Sequence, residues 1–213
     1  SAAQRASHIG WDRGAAHFAD ALGASLGLPV FRGVWSRLVV DLNRRETDPG
    51  VMAPVSGGIP IPGNVGLDAA SREARLARWH RPWRRALCHA VDEAVGAGGC
   101  IHISVHSFDP HFHPGGGPGM DPARVDLDLG VLFDPSRSIE NSLAEVLLAE
   151  LRAEGCSAHP NRPYAGTAEG MVTWLRARHC QQYAGLELEL RQGPMDDSVA
   201  QDVVAKVILA AMG

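Results

Sequence analysis

Ile101-His102-Ile103-Ser104-Val105-His106-Ser107 alternates between apolar and polar residues at every step. That period of two belongs to a β-strand, whose successive side chains point to opposite faces. Ile101, Ile103 and Val105 share one face, and His102, Ser104 and His106 share the other. The expected strand covers residues 100–106 and follows a helix that the glycines at 96–99 bring to a stop.

Outward from this strand the chain keeps alternating strand with helix. Upstream, residues 11–26 carry Ala15, Phe18, Ala19, Leu22 and Leu26 at helical spacing, stopped by Gly27 and Pro29. Short Val- and Leu-rich runs at 29–31 and 37–42 read as neighbouring strands that turn about Gly33. Four prolines and five glycines between 47 and 66 point to a long ordered loop. A helical pattern then runs from Asp68, its N-cap, to Val95, with a kink or break at Pro82. Downstream come a strand at 124–133, helices at 136–154 and 168–182, a strand at 185–191 and a last helix at 198–212. This order predicts one α/β domain over residues 1–213. Its expected form is a three-layer α/β/α sandwich around a mixed, mostly parallel sheet, with chemistry at the carboxyl ends of strands.

The composition narrows the partners. At 213 residues and 45 % hydrophobic content, the chain can bury one sizeable core. The 20 Lys and Arg against 24 Asp and Glu leave a net charge of −4. That balance argues against nucleic acid and anionic membranes, favours a small-molecule substrate and leaves the oligomeric state open. Cys88, Cys100, Cys156 and Cys180 form no CxxC pair and read as reduced thiols of a cytoplasmic protein. No apolar run approaches the ~20 residues of a membrane helix. Gly23-Ala24-Ser25-Leu26-Gly27 has the spacing of a nucleophile elbow, but a helix precedes it where that motif needs a strand. Neither a phosphate loop nor a dinucleotide fingerprint is present.

His106 ends its strand, where an imidazole nitrogen can be offered to a metal. A hydrogen-bonded histidine at a sheet edge has the same appearance in sequence. Leu186-Glu187-Leu188-Glu189-Leu190-Arg191 alternates too, placing Glu187, Glu189 and Arg191 on one face. Carboxylates on a strand covered from both sides need a reason: a solvated edge, or a carboxylate fixed beside a water whose proton it takes. Asp41-Leu42-Asn43-Arg44 offers an amide and a guanidinium suited to gripping a substrate carboxylate, or else a turn with Asn43 in left-handed conformation. Asn161-Arg162-Pro163-Tyr164 either presents a guanidinium and a phenol or serves as a turn. Asp126 and Asp128 share a face and read as a solvated edge. His111 and His113 lie in a glycine-rich stretch and read either as part of a lid beside the pocket or as plain surface histidines. His8 and Asp12, four apart at the start of a helix, face one way, which makes Asp12 a candidate oxygen ligand or part of a helix cap.

Ser104-Val105-His106-Ser107-Phe108, Leu42-Asn43-Arg44 and Leu188-Glu189-Leu190-Arg191 resemble motifs of zinc carboxypeptidases. More closely, these motifs together with His8-Ile9-Gly10-Trp11-Asp12, the run from Ser36 to Arg44, Pro60-Ile61-Pro62-Gly63-Asn64 and Asn161-Arg162-Pro163-Tyr164 resemble the N-formylglutamate amidohydrolase family over nearly the full length. The resemblance implies a zinc-exopeptidase type of fold and Zn2+ as cofactor, held by His106. It implies Glu189 as general acid/base and Asn43 with Arg44 as substrate anchor. Arg162, Tyr164 and Arg191 are the further candidate contacts, the arginines as neutralisers of an oxyanion. It also implies an earlier strand and a loop with another metal-binding histidine, so an N-terminal strand is expected to be missing from these residues. The expected reaction is hydrolysis of N-formyl-L-glutamate to formate and L-glutamate. Competing readings are a metal-free protein of the same fold that binds acidic amino acids, and a zinc exopeptidase or desuccinylase-like hydrolase acting on a bulkier acyl group.

Overall fold

The computed structural model describes residues 9–111, 126–193 and 198–212. His8, His113 and most of the expected lid lie outside the described residues. In chain order the strands are β1 Val55–Ser56, β2 Ile59–Pro60, β3 Cys100–Phe108, β4 Leu129–Leu132, β5 Ala158–Pro160 and β6 Tyr183–Arg191. The α-helices are α1 Ala15–Leu26, α2 Ala69–Arg75, α3 Arg81–Gly96, α4 Ser138–Ala153, α5 Met171–His179 and α6 Ser198–Met212.

The main sheet has the order β3-β6-β4-β5. β3 with β6 and β4 with β5 pair in parallel, while β4 with β6 is antiparallel, which makes the sheet mixed and mostly parallel as expected. Leu186, Leu188 and Leu190 of β6 pack with Leu129 and Val131 against Phe18 and Leu22 of α1, Leu147 and Leu151 of α4, and Val204 and Ile208 of α6. Each fully buried Leu contributes about 1.5–3 kcal/mol of transfer free energy, so this face anchors the sheet. The other face is covered at one end by α3 and α5 through Leu87, Val91, Met171, Leu175 and Tyr183. Helices on both faces give the three layers. Towards the carboxyl ends of β3 and β6, loops take over from α3 and α5.

The runs at 29–31 and 37–42 are not strands. Arg37 N–H donates to Gly10 O (3.2 Å), Val39 N–H to Ser36 O (2.9 Å) and Arg44 N–H to Asp41 O (3.2 Å). These bonds, the last two of them turns, consume backbone groups that a sheet ladder would need. Val40 finds burial elsewhere, packing on Val51, Met52 and Leu76 in a small separate cluster, while Val30 stays exposed. Residues 47–66, read as irregular, contain a 3-10 turn at Pro49–Met52 and the β1/β2 hairpin.

The long helical pattern divides as Pro82 suggests. Asp68 caps α2 by accepting from Ser71 N–H (2.8 Å). A π turn at Leu76–His80, closed by Arg81 N–H to Leu76 O, then leads into α3. Pro82 falls in the first turn of α3, where its missing N–H is not needed. Among the described residues no helix is long and apolar enough to cross a membrane.

Candidate active site

The parallel register of β3 and β6 sets His106 opposite Glu189 and Ser104 opposite Glu187. Side chains in register point to the same face, so the two alternating motifs bring their polar residues together. β6 lies between β3 and β4, so the solvated-edge reading of its glutamates does not hold. Glu187 and Glu189 are only 8 % and 7 % exposed.

His106 is the hub of the cluster. Its Nδ1–H donates to Asp12 Oδ2 at 2.8 Å, Nε2 lies 3.1 Å from Ser104 Oγ, and Glu187 Oε2 is 3.8 Å away. Burial alone would depress the imidazole pKa. The Asp12 hydrogen bond and the charges of Asp12, Glu189 and Glu187 outweigh it and push the pKa up to about 9. Burial would raise the pKa of Asp12, but the His106 hydrogen bond and the charges of His106 and Arg37 prevail and hold it below the usual carboxylate range. Glu187 goes the other way, because its burial outweighs the attraction of His106 and Arg176. His102, four residues before His106 on the same face, is buried and pushed down to about 4, first by burial and then by the charges of His106 and Arg176. It is a neutral ring 2.6 Å from the Tyr183 hydroxyl.

Two cavities adjoin the cluster. One of about 470 Å³ runs along β3 past His106 and Asn43, with mostly apolar walls from α1, α3 and the loop after α1. The other, about 260 Å³, is lined by Arg44, Ser107, Asp109 and Tyr164. Asp12, Arg37 and Asp41 line both. Glu187 and Glu189 line neither and flank His106 from within the sheet.

The remaining candidates fall in different places. Arg44 lines the smaller cavity and pairs with Asp48 at 3.3 Å, and His80 fixes its carbonyl through Nε2 (2.8 Å). Asn43 lines the larger cavity, but its Oδ1 accepts from Met171 N–H at 2.7 Å and so caps the start of α5 across 128 residues of sequence. Arg162 turns away to Asp126 (3.2 Å), and Arg191 lies 3.8 Å from Asp128. Asp128 is not merely solvated: it accepts from Ser157 N–H at 3.0 Å.

Tyr164 reaches the smaller cavity because its loop crosses over the sheet. Gly130 is opposite Glu189 in the register, and a Cβ there would lie 1.8 Å from Arg162 O. Only a glycine lets the loop backbone pass so close. Asn161 holds that loop, its Oδ1 accepting from Phe133 N–H (3.1 Å) and Gly166 N–H (3.0 Å).

Sequence reasoning passed over Arg37. Its Nε and Nη2 donate to Asp41 Oδ2 at 3.2 and 2.7 Å, and Nη1 stands 3.7 Å from Asp12 Oδ1. Read as a strand, 37–42 would separate Arg37 and Asp41 by about 13 Å. A turn reading of the same residues would have paired them.

The residues fit one position of a zinc shell. A histidine whose Nδ1–H is held by a carboxylate is oriented to offer Nε2 to a metal, which makes Asp12 an orienting partner of His106 in this geometry. Among the described residues, no group of three or more His, Cys, Asp and Glu side chains converges as a full metal site would.

A helix-covered mixed sheet with a histidine, two buried glutamates and adjoining arginine-lined cavities at its strand ends defines the class, an α/β fold with its polar cluster at the carboxyl ends of strands. A gene product from Agrobacterium tumefaciens shares this fold, with 24 % identity, a TM-score of 0.77, and coverage of 100 % of this chain and 83 % of that one. An N-formylglutamate amidohydrolase from Ralstonia eutropha is similar at 18 % identity and a TM-score of 0.64, over 93 % of this chain and 80 % of that one. No curated protein matches the chain. The sequence pattern of the N-formylglutamate amidohydrolase family matches residues 1–194, and the chain belongs to that family.

Proposed function

We propose that this protein hydrolyses the amide of an N-acyl acidic amino acid, with N-formyl-L-glutamate as substrate and formate and L-glutamate as products. The observation that carries this reading is the cluster of His106, Glu187 and Glu189 at the sheet end, joined through Asp12 to a cavity walled by Arg37, Arg44 and Tyr164. That cavity, about 260 Å³, is smaller than the ~300–1,000 Å³ of drug-sized ligand sites and suits an amino-acid derivative.

In this proposal zinc is the cofactor, held by His106 through Nε2 with further ligands outside the described residues. When bound it supplies Lewis acidity toward the acyl carbonyl and lowers the pKa of water. Asp12 fixes the ring of His106. Glu189, rigid on a central strand, takes the proton of the attacking water and returns it to the leaving amine. Arg44 grips the substrate carboxylate. The free thiols of all four cysteines support a cytoplasmic setting.

The test is formate release from N-formyl-L-glutamate by zinc-loaded protein, with activity lost on chelation and restored by zinc. Protein that binds no zinc and releases no formate overturns the proposal. One observation favours a second reading, a binding protein for acidic amino acids: Nε2 of His106, the nitrogen a metal would take, lies 3.1 Å from Ser104 Oγ. Thermal stabilisation by L-glutamate that is unchanged by chelator, without hydrolysis, would establish that reading instead.

A further inference from the structure

The two cavities meet at Arg37, a residue that the proposed reaction leaves without a role. Asp41 takes Nε and Nη2 of its guanidinium and so fixes the plane of the fork. Nη1 lies 3.7 Å from Asp12, beyond hydrogen-bond length, so its donors remain for a further acceptor. The loop beneath is also pinned, Ser36 Oγ donating to Gly10 O at 2.7 Å and Asn64 Nδ2 to Leu38 O at 2.9 Å. The smaller cavity is also lined by a second arginine, Arg44.

We propose that Arg37 is a specificity-determining residue: Arg37 and Arg44 receive the two carboxylates of one dicarboxylic acyl amino acid, Arg37 taking the one nearer His106. The inference rests on the function proposed above and names what that site selects. Asp12, Asp41 and Asp109 line the same walls, so the cavity is not strongly cationic. Selection therefore comes from forked, charge-assisted hydrogen bonds and not from bulk attraction.

Calorimetric titration of the whole protein with glutarate and with butyrate tests this, because the probes differ by one carboxylate. Wild type is expected to bind glutarate at least about tenfold more tightly, the value of one charge-assisted hydrogen-bond set. R37M is expected to bring the two within about threefold. R37K keeps the charge but loses the fork, and is expected to retain only part of the preference. Thermal unfolding checks that R37M folds, and if it does not, R37K decides. A wild type that does not prefer glutarate, or a preference that survives in the folded variants, overturns the proposal. Absent formate release with an intact, Arg37-dependent preference would overturn the hydrolytic reading and leave this one standing. The converse result would do the opposite.

Discussion

β6 carries buried charge at both ends, and the two ends are built differently. At the amino end, Glu140 of α4 is fully buried and saturated. It accepts from Arg176 Nε (3.0 Å), Arg137 Nε (2.9 Å), Gly185 N–H (3.1 Å) and Asp134 N–H (3.0 Å). Arg176 in turn donates to the carbonyls of Gly166 and Gly185. At the carboxyl end, Glu187 and Glu189 meet His106, whose partners Asp12 and Ser104 border open cavities. A buried charge enclosed by partners ties α4, α5 and β6 together. A buried charge beside empty space, with its proton affinity displaced, is equipped for chemistry.

The largest expected effect breaks the amino-end cluster. Arg176→Met removes one partner and leaves Glu140 under-compensated, with an expected loss of about 3–5 kcal/mol in urea unfolding. A loss below about 1 kcal/mol would show that the two ends are not as different as their geometry.

At the carboxyl end, Glu189→Gln should keep stability within about 1 kcal/mol while formate release falls about 10²- to 10⁴-fold, the usual share of a general base. Equal losses of folding and activity would instead make Glu189 a structural residue like Glu140.

A smaller effect sharpens the role of Asp12. The His106 pKa is raised in the folded chain, to about 9 from the ordinary 6.5. Its contribution to stability is therefore complete below pH 6.5 and is lost as pH rises through about 9. In chelated Asp12→Asn protein, NMR titration should find the His106 pKa shifted down towards its ordinary value, and the stability decline over that window should flatten. An unmoved pKa would mean that Glu187 and Glu189 alone hold the proton.

The smallest effect concerns Asn43. Its cap on α5 makes Asn43→Ala cost about 1 kcal/mol in thermal or urea unfolding. If stability is unchanged and only substrate binding suffers, Asn43 faces the ligand more than the helix.

Much of this was legible in the chain. The alternations at 101–107 and 186–191 are local properties of the residues, so they fixed two strands, their polar faces and the sharing of a face by Glu187 and Glu189. Helices α1, α4 and α6 were readable for the same reason, from apolar spacing and stop signals. The 29–42 segment does not form the expected strands because Val and Leu content cannot say which side chains are buried or by what: Val30 and Val34 stay exposed, and Val40 is buried. Here the partner is a cluster with Val51, Met52 and Leu76.

Which strands adjoin, and in what register, was decided only by the tertiary structure, because pairing depends on groups far apart in sequence. That register sets His106 against Glu189 across 83 positions and leaves Gly130 bare for the loop that carries Tyr164. It also decides which arginine serves the cavity. Arg37, Arg44, Arg162 and Arg191 are chemically alike in the sequence, and only the position of their carboxylate partners, Asp41, Asp48, Asp126 and Asp128, separates those at the cavities from those drawn away.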